Sequence, residues 1–351
     1  MIIDYLIIGQ GLAGSLLAWE LIQRNCKVLV IDNGQENASQ VAAGLINPVT
    51  GMRFVKSSEV DLLLPAAKAY YAQLSHTFQQ PFYIEKPMLR LFRKEAELTH
   101  CLKRLQDKHY QDYLTAITPL DPNRKEPVAS FGFVEQKQTG YLLTRNLLSH
   151  LKDFFIANGS YRQALFNYQD IQLTPSLAWQ AIYPKKIIFC EGHQAAQNPW
   201  FSWLPFQLAK GEIITLEYQG ELADKILNFG HWLIPLDNQT LRLGATFDRT
   251  HINRQATPSA QEELLKSLAS VLPSLATKVL NHQANVRPCT LDKQPFIGGH
   301  PNYPYLAIFN GFGAKGSLQI PWYCQQFADS LLNNHPAPTS IQRYYATHFT
   351  G

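Results

Sequence analysis

The first 32 residues constrain the fold of this chain more than any other stretch; they read MIIDYLIIGQGLAGSLLAWELIQRNCKVLVID. An apolar run ends at Gly9, a leucine-rich helical pattern follows Gly14, and a second apolar run ends in Asp32. Together with Gly11, these glycines have the spacing G-x-G-x-x-G. The pattern predicts a strand, a tight turn, a helix and a second strand that ends in a carboxylate.

Each residue of this turn has a physical role in a dinucleotide site. Gly9 permits a sharp turn, Gly11 lets a pyrophosphate approach the backbone, and Gly14 lets the helix pack closely on the strand. The helix N-terminus offers free N–H groups and a positive dipole end to the phosphates. Asp32 can accept hydrogen bonds from both ribose hydroxyls, and its charge disfavours a 2′-phosphate. We therefore expect this unit to bind a dinucleotide.

The composition indicates a folded chain with one large domain or two interleaved ones. Of the 351 residues, 46% are hydrophobic and 17% are charged, which excludes an intrinsically disordered chain. The formal net charge is +4, and the charged residues form no block of one sign. The charge balance alone therefore does not indicate binding to nucleic acid or to a membrane.

The five cysteines, Cys26, Cys101, Cys190, Cys289 and Cys324, are far apart and form no C-x-x-C pair. Their odd number and spacing argue against a disulfide framework or a zinc site and favour a reducing compartment. We expect no metal site. The sequence shows no signal-peptide pattern, and no apolar run reaches the roughly 18 residues that a transmembrane helix needs. A cytoplasmic location is therefore expected.

Hydrophobic periodicity predicts the elements that follow. We expect helices over residues 61–78, 95–113, 142–158, 259–271, 273–280 and 318–332, and strands over 185–192, 210–218, 231–235, 240–246 and 305–309. A turn-rich break is expected over 119–127. The layout is α/β with inserted antiparallel strands, and the strands that end near Gly192 and Phe309 are expected to extend the first sheet.

A second group of glycines, Gly311, Gly313 and Gly316, lies where a strand is expected to turn into the last helix. This geometry again presents backbone N–H groups and the positive end of a helix dipole. It would serve the other end of a long cofactor. The alternative is a plain turn whose glycines permit tight packing.

At these residues the chain resembles the D-amino-acid oxidase superfamily of flavoenzymes, near glycine oxidase and monomeric sarcosine oxidase. Six motifs match in order along the whole chain: G-x-G-x-x-G with Asp32, a strand into Glu191-Gly192, Lys210-Gly-Glu-Ile, Leu233-Ile-Pro with Leu243-Gly-Ala-Thr, Arg287-Pro-x-Thr-x-Asp with Pro295-x-Ile-Gly, and Gly311-x-Gly-x-Lys-Gly. The resemblance implies a Rossmann-like FAD-binding domain interleaved with an antiparallel-sheet α+β substrate domain. It implies FAD-binding segments at 1–78, 137–204 and 285–351 and substrate segments at 79–136 and 205–284.

The resemblance also implies FAD, with its adenine half on residues 9–32, its flavin beside residues 39–45, and the helix that begins near Gly316 directed at the pyrimidine end of the flavin. The residues expected to contact it are Gly9, Gly11, Leu12, Ala13, Gly14, Asp32, Asn33, Ser39, Ala43, Gly44, Leu45, Glu191, Gly192, Gly311, Gly313, Ala314, Lys315, Gly316 and Ser317. Sarcosine oxidase tethers its flavin to a cysteine seven residues before the aspartate of the T-x-D motif, where this chain has Asn285. We therefore expect non-covalent FAD, and Cys289 is expected to be a buried structural residue.

Two family patterns for holding a substrate carboxylate overlap in this sequence. In the glycine-oxidase pattern, Arg287 makes a bidentate fork to the carboxylate, and Trp232 stands where the family has a tyrosine, so the hydroxyl is lost. In the sarcosine-oxidase pattern, Lys315 pairs with a basic residue near the flavin, which here is Arg53 or Lys56.

Structural alternatives to these roles stay open. Arg287 could form an ion pair with Asp292, Trp232 could belong to the core, and the other basic residues could lie on the surface.

The resemblance implies an enzyme that oxidises the C–N bond of a small anionic amine or amino acid by hydride transfer to flavin N5, with oxygen or another electron acceptor. One alternative is the oxidation of a carboxymethylaminomethyl group on a modified tRNA, for which a net charge of +4 is modest. Another is a flavoprotein without turnover of its own. The oligomeric state does not follow from the sequence.

Overall fold

The computed structural model describes residues 1–119, 127–128, 131–333, 335, 337–338 and 340–349. Most of the break expected over 119–127 lies outside these residues. None of the helices in the described part of the chain is long and apolar enough to cross a membrane.

Six of the described strands form a largely parallel sheet around the first strand of the chain. Their order across the sheet is Tyr161–Gln163, Val28–Asp32, Ile2–Ile8, Tyr183–Phe189, Leu306–Asn310 and Phe296–Gly299, and only the last pair is antiparallel. The expectation that strands ending near Gly192 and Phe309 extend the first sheet is confirmed. The central strands are apolar on both faces because both faces are covered.

Helices pack on this sheet. The α-helices of the described residues are Leu12–Gln23, Ala38–Val41, Val60–Phe78, Glu95–Leu105, Thr144–Ala157, Pro258–Ala269, Gly316–Asn333 and Tyr345–Phe349. Helix Gly316–Asn333 packs against both Leu12–Gln23 and Val60–Phe78, and one apolar core joins these helices to the sheet. The helices expected over 61–78 and 318–332 are confirmed to within two residues at each end.

Eight other described strands form a second, mainly antiparallel sheet. Their order is Ala276–Arg287, Ala209–Gln219, Thr240–Gly244, Trp232–Pro235, Ile226–Asn228, Met88–Leu91, Phe133–Gln136 and Leu114–Thr118. The pair formed by Ile226–Asn228 and Met88–Leu91 is parallel. Buried leucines of helix Pro258–Ala269 belong to an apolar cluster with side chains of this sheet.

The prediction of a helix over 273–280 is wrong, because this part of the chain leads into the strand Ala276–Arg287. This strand pairs with Ala209–Gln219 along its whole length, with one register shift. The hydrogen bonds to a neighbouring strand therefore override the local helical pattern. The helix expected over 95–113 is shorter than predicted: it ends at Leu105, and a 3₁₀ turn follows over Lys108–Tyr110.

Short strands and turns complete the described structure. The remaining strands are Leu45–Ile46, Gly140–Leu142 and Tyr83–Glu85 in one sheet, Val49–Thr50 with Val55–Lys56, and Ile171–Gln172 with Ala178–Trp179, and further 3₁₀ turns are Tyr168–Asp170, Gly192–Gln197, Gly313–Lys315 and Ile341–Tyr344. The strands of the six-stranded sheet fall within the expected FAD-binding segments. Those of the eight-stranded sheet fall within the expected substrate segments, except that Ala276–Arg287 crosses the boundary at 284/285.

Candidate active site

A cavity of about 900 Å³ lies between the carboxyl ends of the parallel strands and one face of the eight-stranded sheet. Parallel sheets bind ligands at this edge. The expected residues that line the cavity are Gly9, Gly11, Leu12, Ala13, Asp32, Asn33, Ser39, Ala43, Gly44, Leu45, Trp232, Glu191, Gly192, Arg287, Gly313, Ala314, Lys315, Gly316 and Ser317. The other expected residues, Gly14, Gly311, Arg53 and Lys56, do not line it.

The first glycine turn has the geometry that its sequence requires. Gly9 has φ +103°, and a Cβ there would lie 2.6 Å from the carbonyl oxygen of Cys190. A Cβ at Gly14 would lie 2.0 Å from the carbonyl oxygen of Gly9, so Gly14 lets the helix approach the strand. A Cβ at Gly11 would meet only Ser39 Oγ, at 3.4 Å. Gly11 therefore leaves the cavity open to a ligand at the helix N-terminus.

Asp32 is fixed at the end of its strand by backbone donors. Its Oδ2 accepts from the N–H of Gln10 at 2.9 Å, and its Oδ1 accepts from the N–H of Gly34 at 2.7 Å. Each carboxylate oxygen keeps further acceptor capacity for a ligand hydroxyl. The carboxylate lines the cavity beside the first turn of helix Leu12–Gln23.

The segment after Asp32 forms one wall of the cavity. Asn37 begins the short helix Ala38–Val41 with a capping box that also uses Gln40. Ser39 Oγ accepts from the N–H of Leu12 at 3.0 Å, which ties this wall to the first turn of the dinucleotide helix. Gly44 has φ +70°, and a Cβ there would lie 2.1 Å from the carbonyl oxygen of Leu142.

The second glycine turn leads into helix Gly316–Asn333 on the opposite wall. The carbonyl oxygen of Ser317 accepts from the Tyr71 hydroxyl at 2.7 Å, which anchors the first turn of the helix. Lys315 is exposed to the cavity, and its Nζ donates to Ser57 Oγ at 3.2 Å. Desolvation by the surrounding protein, with a smaller contribution from Lys293, lowers the pKa of Lys315.

Glu191 supplies a buried carboxyl at the dinucleotide side of the cavity. Its Oε1 accepts from the Tyr168 hydroxyl at 2.7 Å, and its Oε2 accepts from Asn198 Nδ2 at 2.9 Å. Burial raises the pKa of Glu191 to about 7, although both hydrogen bonds act in the opposite direction. The side chain therefore titrates near neutral pH.

Arg287 presents a guanidinium to the cavity from the end of strand Ala276–Arg287. Its nitrogens donate to the carbonyl oxygens of Lys210 and Thr246, each at 3.3 Å, and it lies 5.6 Å from the ring centre of Phe247. No carboxylate of the described residues lies within 4.0 Å of it. The alternative of an ion pair with Asp292 is contradicted, because Asp292 pairs with Arg343 at 2.7 Å.

Burial lowers the pKa of Arg287, yet an arginine remains charged at neutral pH. Among the described residues, this half-buried charge is balanced by the carbonyl dipoles of Lys210 and Thr246 and by the ring of Phe247, and not by a carboxylate.

Trp232 also lines the cavity, on the neighbouring part of the same sheet face. It pairs in register with Gly244, and a Cβ at Gly244 would lie 2.8 Å from Trp232 Cζ2 and 3.0 Å from Ile213 Cγ1. The indole therefore lies over Gly244 towards Ile213. It also packs against a small apolar cluster that includes Ala43. The ring is therefore part of the core on one side and lines the cavity on the other.

The two basic residues expected to partner Lys315 are not brought to the cavity. Lys56 Nζ pairs with Asp61 Oδ2 at 2.6 Å. Arg53 is exposed and lines a smaller surface hollow with Lys94 and His100. Lys315 contacts Ser57 instead, so the lysine pair of the sarcosine-oxidase pattern is not assembled here.

A family model described as FAD dependent oxidoreductase, DAO, matches residues 4–330. The chain belongs to the DAO family. The resemblance found in the sequence, the fold class and the FAD cofactor are therefore confirmed, and the chain is an FAD-dependent oxidoreductase.

Known DAO-family proteins match nearly the whole chain at low identity. Glycine oxidase of Pseudomonas aeruginosa is 22% identical over 94% of this chain and 95% of its own length. The bifunctional protein MnmC of Marinobacter nauticus, named for tRNA 5-methylaminomethyl-2-thiouridine biosynthesis, is 24% identical over 93% of this chain. The chain spans 55% of the length of that relative. The crystal structure of glycine oxidase from Geobacillus kaustophilus superposes with a TM-score of 0.81 at 21% identity, covering 96% of each chain, which shows a shared fold.

The residues of this cavity fit FAD. An open glycine turn at a helix N-terminus suits a pyrophosphate, and a carboxylate at the end of the second strand suits a ribose. A long cavity that ends at a second helix N-terminus beside Lys315 suits a flavin that becomes anionic when reduced. Asn285, which the sequence resemblance placed at the position of a tethering cysteine, lines the cavity.

Sequence reasoning missed two polar residues of the sheet face that line the cavity, Arg90 and Asn228. Arg90 was the one charged residue in the apolar run Met88–Leu91, which is a signal that could have found it. Asn228 gave no such signal. Tyr168 and Arg254, on the dinucleotide side, were missed as well.

Proposed function

We propose that this DAO-family oxidoreductase oxidises the C–N bond of a small amino acid whose carboxylate is held by Arg287. The observation that carries the proposal is the Arg287 guanidinium, half-buried in the cavity wall without a carboxylate partner among the described residues. A cation that is partly removed from water without a counter-charge is costly, so an anionic ligand at this place is favourable. The planar fork of arginine suits a carboxylate, which it can bind with two parallel hydrogen bonds.

The remaining polar groups then have separate roles. Trp232 beside Arg287 provides an apolar surface that excludes water from the carbon chain of the substrate. Lys315 at the second helix N-terminus stabilises negative charge on the cofactor side. Bound FAD supplies the oxidising chemistry by accepting a hydride equivalent. The names of the glycine oxidase relatives agree with a small amino acid as the substrate.

Anaerobic reduction of the flavin tests this function. The FAD-loaded protein is mixed with a panel of amino acids and with amines that have the same carbon skeleton but no carboxylate. We expect the flavin absorbance to bleach with at least one small amino acid and much more slowly with its uncharged counterpart. A protein that is reduced by no member of the panel, or equally by both classes, would contradict the proposal.

A second candidate is the oxidation of a carboxylated amine carried by a modified tRNA. It is supported by the MnmC relative and by the surface hollow next to the cavity. That hollow shares Thr50, Gly51 and Met52 with the cavity wall and adds the basic residues Arg53, Lys94 and His100. Among the described residues, its one carboxylate, Glu97, is already paired with Arg90. Binding of tRNA should then weaken steeply as salt rises. A salt-independent or undetectable affinity would leave the free amino acid as the substrate.

A further inference from the structure

Acidic side chains line the half of the cavity at the first glycine turn. Asp32 and Glu191 belong to this part of the wall, and neither forms an ion pair among the described residues. The pyrophosphate of FAD brings further negative charge to the same place. The N-terminus of helix Leu12–Gln23 supplies the equivalent of only about half a positive charge. A cation from another part of the chain would therefore strengthen the binding of the dinucleotide.

Among the described residues, the lysines and arginines that line the cavity are Arg90, Arg254, Arg287 and Lys315. Three of them stand elsewhere in the cavity. Arg90 pairs with Glu97 Oε1 at 3.0 Å. Arg287 lies over a glycine of the eight-stranded sheet, and Lys315 lies at the second glycine turn. Arg254 is the cation that remains for the first glycine turn.

The imidazole of His193 does not take this role, although it lines the cavity as well. Burial, with a smaller contribution from the charge of Arg254, lowers the pKa of His193 from its ordinary value of 6.5. The ring is therefore uncharged at neutral pH.

Arg254 contacts the segment that borders the first glycine turn. Its Nη2 donates to Gln35 Oε1 at 2.9 Å, and its Nη1 donates to the carbonyl oxygen of Glu36 at 3.3 Å. The next residue, Asn37, donates from Nδ2 to the carbonyl oxygen of Gln10, inside the turn, at 3.4 Å. Arg254 has no carboxylate partner among the described residues. A guanidinium has more N–H donors than these two contacts use, so hydrogens remain for a ligand.

Arg254 comes to the turn from the other sheet, on an exposed loop before helix Pro258–Ala269. Both ends of this loop are tied to strand Ala209–Gln219. At one end, Asp248 exchanges backbone hydrogen bonds of 2.7 and 3.0 Å with the strand. At the other end, Thr257 donates through its N–H and its hydroxyl to a buried glutamate of the strand, at 2.8 and 3.0 Å. These anchors hold a residue of the eight-stranded sheet against the cofactor half of the cavity.

We propose that Arg254 is a cofactor-binding residue that closes over the dinucleotide and donates hydrogen bonds to the pyrophosphate of FAD. The cofactor is then held from both sheets, by the glycine turn of one and by a guanidinium carried on the other. Arginine suits this place because its planar fork matches the oxygens of a phosphate. The inference concerns the cofactor and holds whichever amine is the substrate.

Equilibrium dialysis of the FAD-loaded protein tests the inference without a substrate. The protein is dialysed against buffers of known FAD concentration, and the bound flavin is measured by its absorbance. Arg254→Gln removes the charge from an exposed loop, where a substitution has little effect on folding. We expect the Kd of FAD to rise about ten- to a hundredfold, as for the loss of hydrogen bonds to a charged group. An unchanged Kd would overturn the inference.

Arg249→Gln is the matched control, because it changes the net charge by the same amount on the same loop. Arg249 is exposed, lies 5.3 Å from the ring centre of Phe247 and does not line the cavity. The Kd of FAD should stay within about threefold of the parent value, since salt screens a distant exposed charge. An equal loss of affinity in both variants would assign the effect to the charge of the loop as a whole and would overturn the contact.

The dependence on salt distinguishes a contact with the pyrophosphate from support of the cavity wall. Salt screens the attraction between an exposed guanidinium and a phosphate, so FAD binding to the parent protein should weaken as KCl rises from about 0.05 to about 0.5 M. Binding to Arg254→Gln should change less, and the ratio of the two Kd values should fall at least about threefold over this range. A ratio that stays constant would mean that Arg254 only supports Gln35 and Glu36, and the inference would be wrong.

Discussion

The guanidinium of Arg287 lies directly over Gly211 on the neighbouring strand, and a Cβ at Gly211 would come within 2.0 Å of Nη2. Because Gly211 has no side chain, it leaves the space that the guanidinium of Arg287, the proposed carboxylate clamp, occupies. Gly211 faces the cavity and pairs in register with Asn285, two residues before Arg287. The K-G-E-I motif and the R-P motif, which are about 75 residues apart in the sequence, thus form one unit in space.

Gly211→Ala should therefore displace the guanidinium without changing any charged residue. We expect the rate of flavin reduction by the amino acid substrate to fall about a hundredfold, because a shift of about 1 Å in a positioning group has effects of this size. The FAD content should stay near that of the parent protein. Stopped-flow reduction under anaerobic conditions measures the effect, and an unchanged rate would show that the clamp does not depend on this space.

Asp32→Ala should lower the occupancy of FAD. The carboxylate is held by two backbone N–H groups in position for a ribose, and losing hydrogen bonds to a charged group costs about 1.5–3 kcal/mol, which is about ten- to a hundredfold in Kd. Acid precipitation releases non-covalent flavin into the supernatant, where it is quantified. Asp4→Ala is the control, because Asp4 also accepts from a backbone N–H but lies outside the cavity. Flavin that stays with the precipitate would contradict non-covalent binding.

Lys315→Met should lower the reduction potential of the bound flavin. The ammonium lies at the second helix N-terminus, where it would stabilise the negative charge of a reduced flavin. Loss of about 1.4 kcal/mol of such stabilisation corresponds to a decrease of about 30 mV for a two-electron couple. The potential is measured by equilibration with a redox dye. Lys56→Met is the control, since Lys56 pairs with Asp61 outside the cavity, and equal shifts in both variants would exclude a specific role for Lys315.

Glu191 should make the protein less stable as pH rises from about 4.5 to about 7. Burial raises its pKa from 4.5 to about 7, so in this range the folded state binds a proton that the unfolded chain releases, and stability falls with pH. Glu191→Gln removes the titration and keeps both hydrogen-bond partners within reach. From pH 4 to pH 8, the unfolding free energy of the parent should fall by about 2–3 kcal/mol more than that of the variant. Urea unfolding at a fixed FAD concentration measures this, and parallel pH profiles would refute it.

The dinucleotide unit could be predicted from the sequence because its constraints are local. The glycine spacing, the two apolar runs and Asp32 lie within 32 residues, and the structure places them as expected. The prediction of a helix over 273–280 was wrong because the strand that pairs with this part of the chain, Ala209–Gln219, lies far away in the sequence. Local periodicity carries no information about such a partner.

The far side of the candidate site was missed for a similar reason. Arg90 and Asn228 are 138 residues apart and meet only because two short strands pair in parallel. Conversely, Arg53 and Lys56 are basic and close to cofactor motifs in the sequence, but the hairpin that carries them turns them to the outside. Proximity along the chain therefore identified the cofactor site better than the substrate side, which is assembled from distant strands.

The most direct test of the proposed carboxylate clamp is anaerobic flavin reduction in Arg287→Met, compared with the parent protein. The control is Arg53→Met, which removes a basic residue outside the cavity. Loss of a buried charge-assisted contact costs about 2–5 kcal/mol, so reduction by the amino acid substrate should slow by about thirty- to several-thousand-fold in kcat/KM. Reduction by the uncharged amine of the same skeleton should stay within about threefold of the parent, and Arg53→Met should behave as the parent with both. If Arg287→Met is reduced by the amino acid as fast as the parent protein, Arg287 does not hold the substrate and the account is wrong.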